Sequence, residues 1–197
     1  SNANVSTTNN YSIIFIKDND YVAPVATNEL NLQLLSSYSN GAAGTNSAEI
    51  VAFDPTTDRL YIANSIGQKM DIVNFSNPSV PVLITSISML PYGGINSIVA
   101  RNGIVAAAIE NSNPQLNGSV VFFDANGIFQ KQVTVGAMPD MICFNNNFTK
   151  VLTANEGEPN STYSLDPEGS VSIIDISSGI PTLSQANVIT LPLTAYN

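Results

Sequence analysis

The residues best suited to chemistry in this sequence lie in one acidic loop. Within thirteen positions it holds four of the chain's fifteen acidic residues and no Lys or Arg; the four are Glu156, Glu158, Asp166 and Glu168. Gly and Pro fill much of the remainder, which predicts a shaped loop between two strands. Carboxylates without basic neighbours suit a hard cation. The four acids are therefore candidate Ca²⁺ ligands, and the alternatives are a solvated surface loop and a catalytic metal site.

The composition excludes two kinds of partner. Six Lys and Arg stand against fifteen Asp and Glu, a formal net charge of −9, and the bases are scattered singly. Because binding to the phosphates of nucleic acid or of an anionic membrane needs clustered bases, we expect neither as a partner. The chain has no His, the usual general base and zinc ligand. No apolar run approaches the roughly 18 residues that span a bilayer, so we expect no transmembrane segment.

A pattern of four short apolar runs repeats three times between residues 48 and 192. The runs are separated by turn signals such as Asn102-Gly103, a dipeptide typical of tight hairpins. Polar positions repeat at spacings of 47 and 44 residues in two series, namely Glu49, Asn96, Asp140 and Asn64, Asn111, Asn155. Four-stranded repeats of about 40 to 50 residues are typical of β-propellers. The sequence thus predicts an all-β fold, a partial β-propeller of three four-stranded blades, and disfavours a β-sandwich, which lacks a fixed period.

The chain outside the repeats divides into short segments. Residues 1–3, Ser-Asn-Ala, match the remnant of a cleaved expression tag, and residues 4–29 read as an N-terminal segment and linker. Residues 30–197 form the predicted propeller domain. Apolar and polar residues alternate from Leu30 to Ser37 and predict an extra strand at the leading edge. Because a closed ring needs about four to eight blades, we expect the domain to be cut short at its C-terminus.

An open ring predicts association. The first and last blades would each leave an apolar face without a partner. Three outcomes are open: the segment from Tyr11 to Asn28 covers one end, two copies join end to end, or the chain is only marginally soluble. We expect the homodimer, because blade faces already fit one another. Equivalent positions in the three first strands, Val51, Ile98 and Ile142, are expected to be buried between blades.

Several segments match one known family. They are Ala48–Asp54, Asn96–Ala100, Val120–Asp124, Val135–Met141 and, as the most specific part, Ala154–Pro159 with Asp166–Asp175. Together they resemble the choice-of-anchor I domain, a family of bacterial surface β-propellers similar to the mesenchyme-specific cell-surface glycoproteins of animals. The resemblance covers residues 30–197. It implies a secreted or cell-surface protein whose molecular activity is poorly defined.

Blade topology brings the marked polar residues to one face. The entrance to the first strand and the loop between the second and third strands open on the same side of a blade. We therefore expect the following residues to lie there beside the acidic loop: Glu49, Asn64, Asn96, Glu110, Asn111, Asp140 and Asn155. Their oxygens suit Ca²⁺ or Mg²⁺ better than zinc or copper. The simpler roles are capping of backbone amides by the acids and tethering of loops by the Asn residues.

Three functions remain open, and the third is a purely structural stalk or adhesin repeat. The first is an extracellular or cell-surface interaction domain for a protein or glycan ligand, with loops ordered by a cation. The second is a metal-dependent phosphoesterase of the alkaline-phosphatase or phytase kind. Phosphoryl transfer needs positive groups around the phosphate, and the predicted face carries almost none. We therefore favour the interaction domain over the enzyme.

Overall fold

The computed structural model describes residues 32–39 and 48–194. These residues form twelve strands and two short 3₁₀ helices, Ile180–Thr182 and Gln185–Asn187, which confirms the all-β prediction. The strands are β1 Ala48–Asp54, β2 Arg59–Asn64, β3 Lys69–Asn74, β4 Val82–Ser88, β5 Gly94–Arg101, β6 Ile104–Glu110, β7 Asn117–Asp124, β8 Phe129–Ala137, β9 Pro139–Phe144, β10 Lys150–Asn155, β11 Ser170–Asp175 and β12 Val188–Pro192. No described helix is long and apolar enough to cross a membrane.

The strands pair into three four-stranded antiparallel sheets in sequence order. We name them blade 1 (β1 to β4), blade 2 (β5 to β8) and blade 3 (β9 to β12). The first strands lie side by side, β1 against β5 and β5 against β9. Each blade therefore places its first strand next to that of its neighbour, as in a β-propeller. The prediction of three four-stranded propeller blades is confirmed.

Two apolar cores hold the blades together. The core between blades 1 and 2 contains Tyr61 and Ile98, and the core between blades 2 and 3 contains Phe122 and Ile142. Blade 2 is packed on both sides, so β6 is buried without interruption over residues 105–109 instead of alternating. The predicted burial of Ile98 and Ile142 is thus confirmed, at 3% and 4% exposure. The same prediction is wrong for Val51, which is 60% exposed because no described blade packs on its side of blade 1.

The ends of the blades differ in their connections. In each blade, the turn from the first to the second strand and the turn from the third to the fourth strand lie at one end, which we call the turn face. The opposite end holds the entrance to the first strand and the loop between the second and third strands, and we call it the loop face. On the turn face, Asn102 and Gly103 both have positive φ, 53° and 77°, as a two-residue hairpin requires. Asp124 and Asp175 close Asx turns there, since each accepts a hydrogen bond from a backbone N–H two residues further on, that of Asn126 or Ser177.

One buried carboxylate links two blades at the turn face. Asp54 ends β1 and is fully buried. It accepts hydrogen bonds within its own turn from Thr56 N at 3.1 Å and Thr57 Oγ1 at 3.0 Å. It also accepts two from blade 2, from Asn102 N at 3.1 Å and Gly103 N at 2.8 Å. Burial alone would raise the pKa of Asp54, but these bonds outweigh burial and hold the pKa below its ordinary value.

The chain divides into two compact units, residues 1–34 and 35–197. Of the strand predicted over Leu30 to Ser37, residues 32–37 are described and form no strand, so that prediction is wrong there. In the first unit, Leu32 and Leu34 are 81% and 88% exposed, and their alternation with polar residues does not mark a buried face. In the second unit, Ser36 Oγ donates to Pro78 O at 2.6 Å. The segment from Tyr11 to Asn28, one of the three outcomes considered for the open ring, lies outside the described residues.

Candidate binding face

A β-bulge explains the repeated polar residue at each strand entrance. In blade 1, residues 48 and 50 pair with consecutive residues of β2, which leaves Glu49 as the extra residue. The pairing of β5 with β6 skips Asn96, and that of β9 with β10 skips Asp140. A bulge redirects the side chain of its extra residue and bends the strand. The first series of repeated positions therefore marks three equivalent bulges on the loop face.

The second series is in register only in part. Asn64 pairs with Ala48, and Asn155 pairs with Pro139 at the equivalent place in blade 3. In blade 2 the residue that pairs just before the bulge is Ile109, so Asn111 lies two residues beyond the equivalent position, towards the C-terminus. The equal spacing of the second series therefore does not put Asn111 in register with Asn64 and Asn155, because the β5–β6 turn has two residues, whereas the β1–β2 turn has four. Spacing in the sequence cannot separate a shorter turn from a shifted strand.

Asn96 joins blade 2 to blade 3 near a carboxylate. Its Nδ2 donates to Pro139 O at 3.2 Å and lies 3.5 Å from Glu110 Oε2. Glu110 is half-buried at the end of β6. The bond to Asn96 is long, so the Glu110 carboxylate keeps acceptor capacity on the loop face. The structure thus brings together Asn96 and Glu110, as the sequence predicts.

The acidic loop is anchored where it leaves blade 3. Glu156 N donates to Met138 O at 2.9 Å, and Gly157 N donates to Ala137 O at 3.2 Å. Gly157 has φ +66°, and a Cβ there would lie 2.4 Å from Pro167 O, so the start and end of the loop touch at a position that only Gly fits. Blade 2 holds the same loop through Gln115 Nε2, which donates to Glu158 O at 3.3 Å.

Negative charges meet at the start of the loop. Partial desolvation, and then the charges of Asp140 and Glu158, raise the pKa of Glu156. Asp166 is exposed, whereas Glu168 is half-buried. Glu168 Oε1 is shielded from water and has no hydrogen-bond partner among the described residues.

The described side chains do not form a preassembled metal site. Among residues 32–39 and 48–194, no three Cys, Asp or Glu side chains converge closely enough to hold a metal ion. Backbone carbonyls and water supply many of the ligands of Ca²⁺ in proteins. Ca²⁺ binding by Glu156, Glu158, Asp166 and Glu168 stays a prediction.

Asn155 is the centre of a buried polar network beneath the loop. It is 3% exposed, and its Oδ1 accepts from Thr153 Oγ1 at 2.9 Å. Its Nδ2 donates to Ser170 Oγ at 3.1 Å and Ser172 Oγ at 3.0 Å. Gly136 N of blade 2 donates to the same Ser172 hydroxyl at 3.3 Å. Asn155 therefore fixes both ends of the acidic loop to the blades and is not free for a ligand.

The other two Asn residues also organise their own loops. Asn64 Oδ1 accepts from Gly67 N at 2.6 Å. Asn111 Oδ1 accepts from Asn113 N at 3.0 Å, and its Nδ2 donates to Asn117 O at 3.1 Å. Glu49 and Asp140 are both exposed. The side chains with spare capacity on this face are therefore the acids and not the Asn series.

A small subloop inside the acidic loop displays two large side chains. Asn160 Oδ1 accepts from Ser164 N at 2.9 Å and from Leu165 N at 3.3 Å, and Asn160 N donates to Leu165 O at 2.9 Å. Tyr163 has φ 55° and is 78% exposed, and Leu165 is 57% exposed. The hydrogen bonds hold the subloop in shape while it presents these side chains to water.

A groove lies beside Glu110, between the β4–β5 connection and β8. Its volume is about 420 Å³. Tyr92 lines one side, and the residues from β7 and β8 that line the other include Asn117, Gln132 and Thr134. Sequence reasoning missed this groove, because its walls come from segments about 40 residues apart that carry no shared motif. It also missed the Ser170 and Ser172 pair, whose alternation in a strand signals a polar stripe.

The comparisons with known proteins assign the family. A sequence model of the choice-of-anchor I domain matches residues 49–197. The chain belongs to the choice-of-anchor I domain family. No curated protein matches this family member in sequence. The expected resemblance is thus confirmed over its main part.

One solved structure supports the fold, and a second is similar to a lesser degree. Hydrazine synthase of Kuenenia stuttgartiensis is similar over 74% of this choice-of-anchor I chain, at 15% identity and a TM-score of 0.53. A luciferin-regenerating enzyme matches 62% of the chain at 9% identity and a TM-score of 0.49. The chain spans 37% and 43% of the lengths of these two structures. At such identities the likeness to hydrazine synthase concerns the fold alone.

Proposed function

We propose that this chain is a secreted or cell-surface β-propeller interaction domain that presents its loop face to a protein or glycan ligand. The name of the family, which refers to anchors, supports a surface location. The observation that carries the proposal is the subloop around Asn160. It is ordered by its own hydrogen bonds and yet exposes Tyr163 and Leu165. A rigid loop that displays an aromatic side chain loses little entropy on binding, and Tyr is enriched among interface hot spots.

Labelled protein added to intact bacterial cells and to immobilised surface polysaccharides and glycoproteins tests this proposal. We expect saturable binding that Tyr163→Ala weakens about tenfold or more, as loss of a hot spot does. The matched control is Ile128→Ala, which removes a side chain of 60% exposure at the turn face. Equal binding by wild type and Tyr163→Ala would contradict a role for the loop face.

We further propose that Ca²⁺ orders the acidic loop. Glu168 Oε1 supports this, because a carboxylate oxygen shielded from water needs a partner, and no described residue supplies one. The crowding of Glu156 with Asp140 and Glu158 supports it as well, since a cation would relieve their repulsion.

Thermal unfolding at increasing Ca²⁺ tests this second proposal. A cation that binds only the folded chain raises the melting temperature, and EDTA reverses the rise. Glu168→Gln should remove most of the effect, whereas Asp58→Asn at the turn face should leave it intact. Identical melting curves with Ca²⁺ and with EDTA would leave a solvated loop as the explanation.

Phosphoesterase activity has no comparable support. Four basic side chains already have partners and do not converge on one site. Arg59 and Arg101 donate to backbone carbonyls of turns in the next blade. Lys69 and Lys150 form ion pairs with Asp71 and Asp175. Of these four, Lys69 lies on the loop face, at the start of β3, and its charge is already met by Asp71 Oδ1 at 3.4 Å. Phosphoryl transfer depends on positive groups around the transferred phosphate.

Association of two copies remains our proposal for the exposed blade faces. Val51 and Phe53 on blade 1 are 60% and 46% exposed, and Ile189 and Leu191 on blade 3 are 61% and 47% exposed. Apolar faces of this kind favour association. Light scattering should give the mass of a dimer, and Ile189→Lys should shift it towards the monomer. A monomeric mass at high protein concentration would contradict the proposal.

A further inference from the structure

We propose that the groove beside Glu110 binds the hydroxyl groups of a neutral glycan. The inference rests on the proposed role as an interaction domain and specifies the ligand class and the place where it binds. The groove volume of about 420 Å³ falls within the range of roughly 300–1,000 Å³ that is usual for ligand sites. The space suits a mono- or disaccharide unit of a longer chain.

The groove offers hydrogen-bonding groups that the protein itself does not use. Gln132 Nε2 donates to Ser119 Oγ at 2.9 Å, which fixes the amide and leaves Gln132 Oε1 as an acceptor. The side-chain amide of Asn117 and the hydroxyl of Thr134 line the groove, and neither has a hydrogen-bond partner within the described chain. The groove therefore presents donors and acceptors together.

Glu110 adds a strong acceptor at one end of the groove. Its only hydrogen-bond contact among the described residues is the long one of 3.5 Å from Asn96 Nδ2 to Oε2. A carboxylate that accepts from a ligand hydroxyl makes a bond about twice as strong as one between neutral groups. Because Glu110 is half-buried, such a bond is partly shielded from competing water.

The donors and charges in the groove determine the class of ligand. None of the described residues that line it is Lys or Arg, so an anionic ligand would meet repulsion from Glu110 without compensation. An ammonium ligand donates only, and would leave the donors of Asn117 and Thr134 unmatched. A hydroxyl both donates and accepts, so a polyhydroxylated neutral ligand satisfies both kinds of group.

An aromatic wall favours the same class. Tyr92 is stacked on Phe129 with ring centroids 5.8 Å apart and planes at 10°. Its ring also forms a T-shaped pair with Phe123, with ring centroids 5.6 Å apart and planes at 87°. These contacts fix the ring, so little side-chain entropy is lost when a ligand packs against it. Apolar C–H faces of sugars pack well on such rings, while their hydroxyls reach the polar wall.

Calorimetric titration of the whole chain tests the inference. The probes are neutral oligosaccharides of glucose, mannose and N-acetylglucosamine, with trilysine as the amine probe and oligogalacturonate as the anionic probe. We expect at least one neutral probe to bind, and Glu110→Gln to weaken it about tenfold or more through loss of a charge-assisted bond. Thr134→Val should also weaken it, and the turn-face control Asp58→Asn should bind like the wild type. Urea unfolding of each variant confirms that it is folded.

Several results would overturn the inference. They are failure of every neutral probe to bind, binding that Glu110→Gln and Thr134→Val leave unchanged, and tighter binding of trilysine or oligogalacturonate than of any neutral probe. The proposed function is judged separately by the effect of Tyr163→Ala on binding to cells. Loss of that binding with Tyr163→Ala, together with no response to neutral probes, would keep the interaction domain and reject the glycan groove.

Discussion

Replacement of Asp54 by Ala should destabilise the domain more than any other single loss of an acid at the turn face. The carboxylate is fully buried and accepts four hydrogen bonds, two within blade 1 and two from the Asn102-Gly103 turn of blade 2. Hydrogen bonds to a charged group each contribute about 1.5–3 kcal/mol, but their losses are not additive, and water can reach the emptied turn. We expect Asp54→Ala to lower the free energy of unfolding by about 2–4 kcal/mol.

Urea unfolding followed by far-ultraviolet circular dichroism measures this loss, since the chain has no Trp to report by fluorescence. The matched control is Asp124→Ala. Asp124 accepts two backbone bonds, from Asn126 N at 2.8 Å and Ile128 N at 2.9 Å, within one exposed turn. That variant should lose only about 0.5–1.5 kcal/mol, because water replaces the lost acceptor. Equal losses for the two variants would refute the view that Asp54 links the blades.

The same residue gives a pH dependence of known sign. The pKa of Asp54 is lower in the folded chain than in the unfolded chain, so folding favours the ionised form. Its contribution is fully present above the ordinary pKa of an Asp and is lost as the pH falls through the lowered folded value. The stability difference between wild type and Asp54→Ala should therefore be constant at neutral pH and shrink in acid. A difference that grows in acid would contradict this assignment.

Three further predictions concern the blades and the loop face. Ile142→Asp should cost more than about 4 kcal/mol of unfolding free energy, because it places an unpaired charge in the core. Val51→Asp at the equivalent exposed position should cost the single chain less than about 1 kcal/mol, and urea unfolding of dilute protein distinguishes the two variants. Asn155→Ala should lower the free energy of unfolding by about 2–4 kcal/mol, because it removes the donor that Ser170 and Ser172 share. It should also make the acidic loop more sensitive to proteolysis, and an unchanged cleavage rate would contradict the anchoring role of Asn155. With EDTA present, Glu156→Gln should raise the melting temperature at neutral pH, because the raised pKa of Glu156 means that folding disfavours its ionised form. This gain should vanish below the ordinary pKa of a Glu. A melting temperature that falls on this change would show that the Glu156 charge is compensated.

The blade pattern could be predicted from sequence because its signals are local. The apolar runs and the Asn102-Gly103 turn each follow from the backbone of one blade. The spacing of Glu49, Asn96 and Asp140 arises because the same blade backbone is repeated three times. The structure adds that these three residues are the extra residues of equivalent bulges. A bulge shifts strand pairing without changing composition, so spacing locates it but does not identify it.

Features between blades could not be predicted in the same way. From the sequence, Asp54 is simply a turn residue. Its carboxylate becomes a buried hydrogen-bond acceptor only because blade 2 packs against it. Val51 and Ile142 occupy equivalent positions, yet one is exposed and one is buried, because burial depends on a neighbouring blade. The groove beside Glu110 likewise arises from segments that meet only in the folded chain.

The most direct test of the proposed interaction domain is hydrogen–deuterium exchange of the chain, free and bound to the surface material that retains it. We expect slower exchange on binding in the loop face, over residues 110–117 and 156–168. The turn face, over residues 55–58 and 125–128, should exchange at the same rate in both states. Protection confined to the turn face, or an exchange pattern that does not change on binding, would contradict the claim that the loop face is the binding surface.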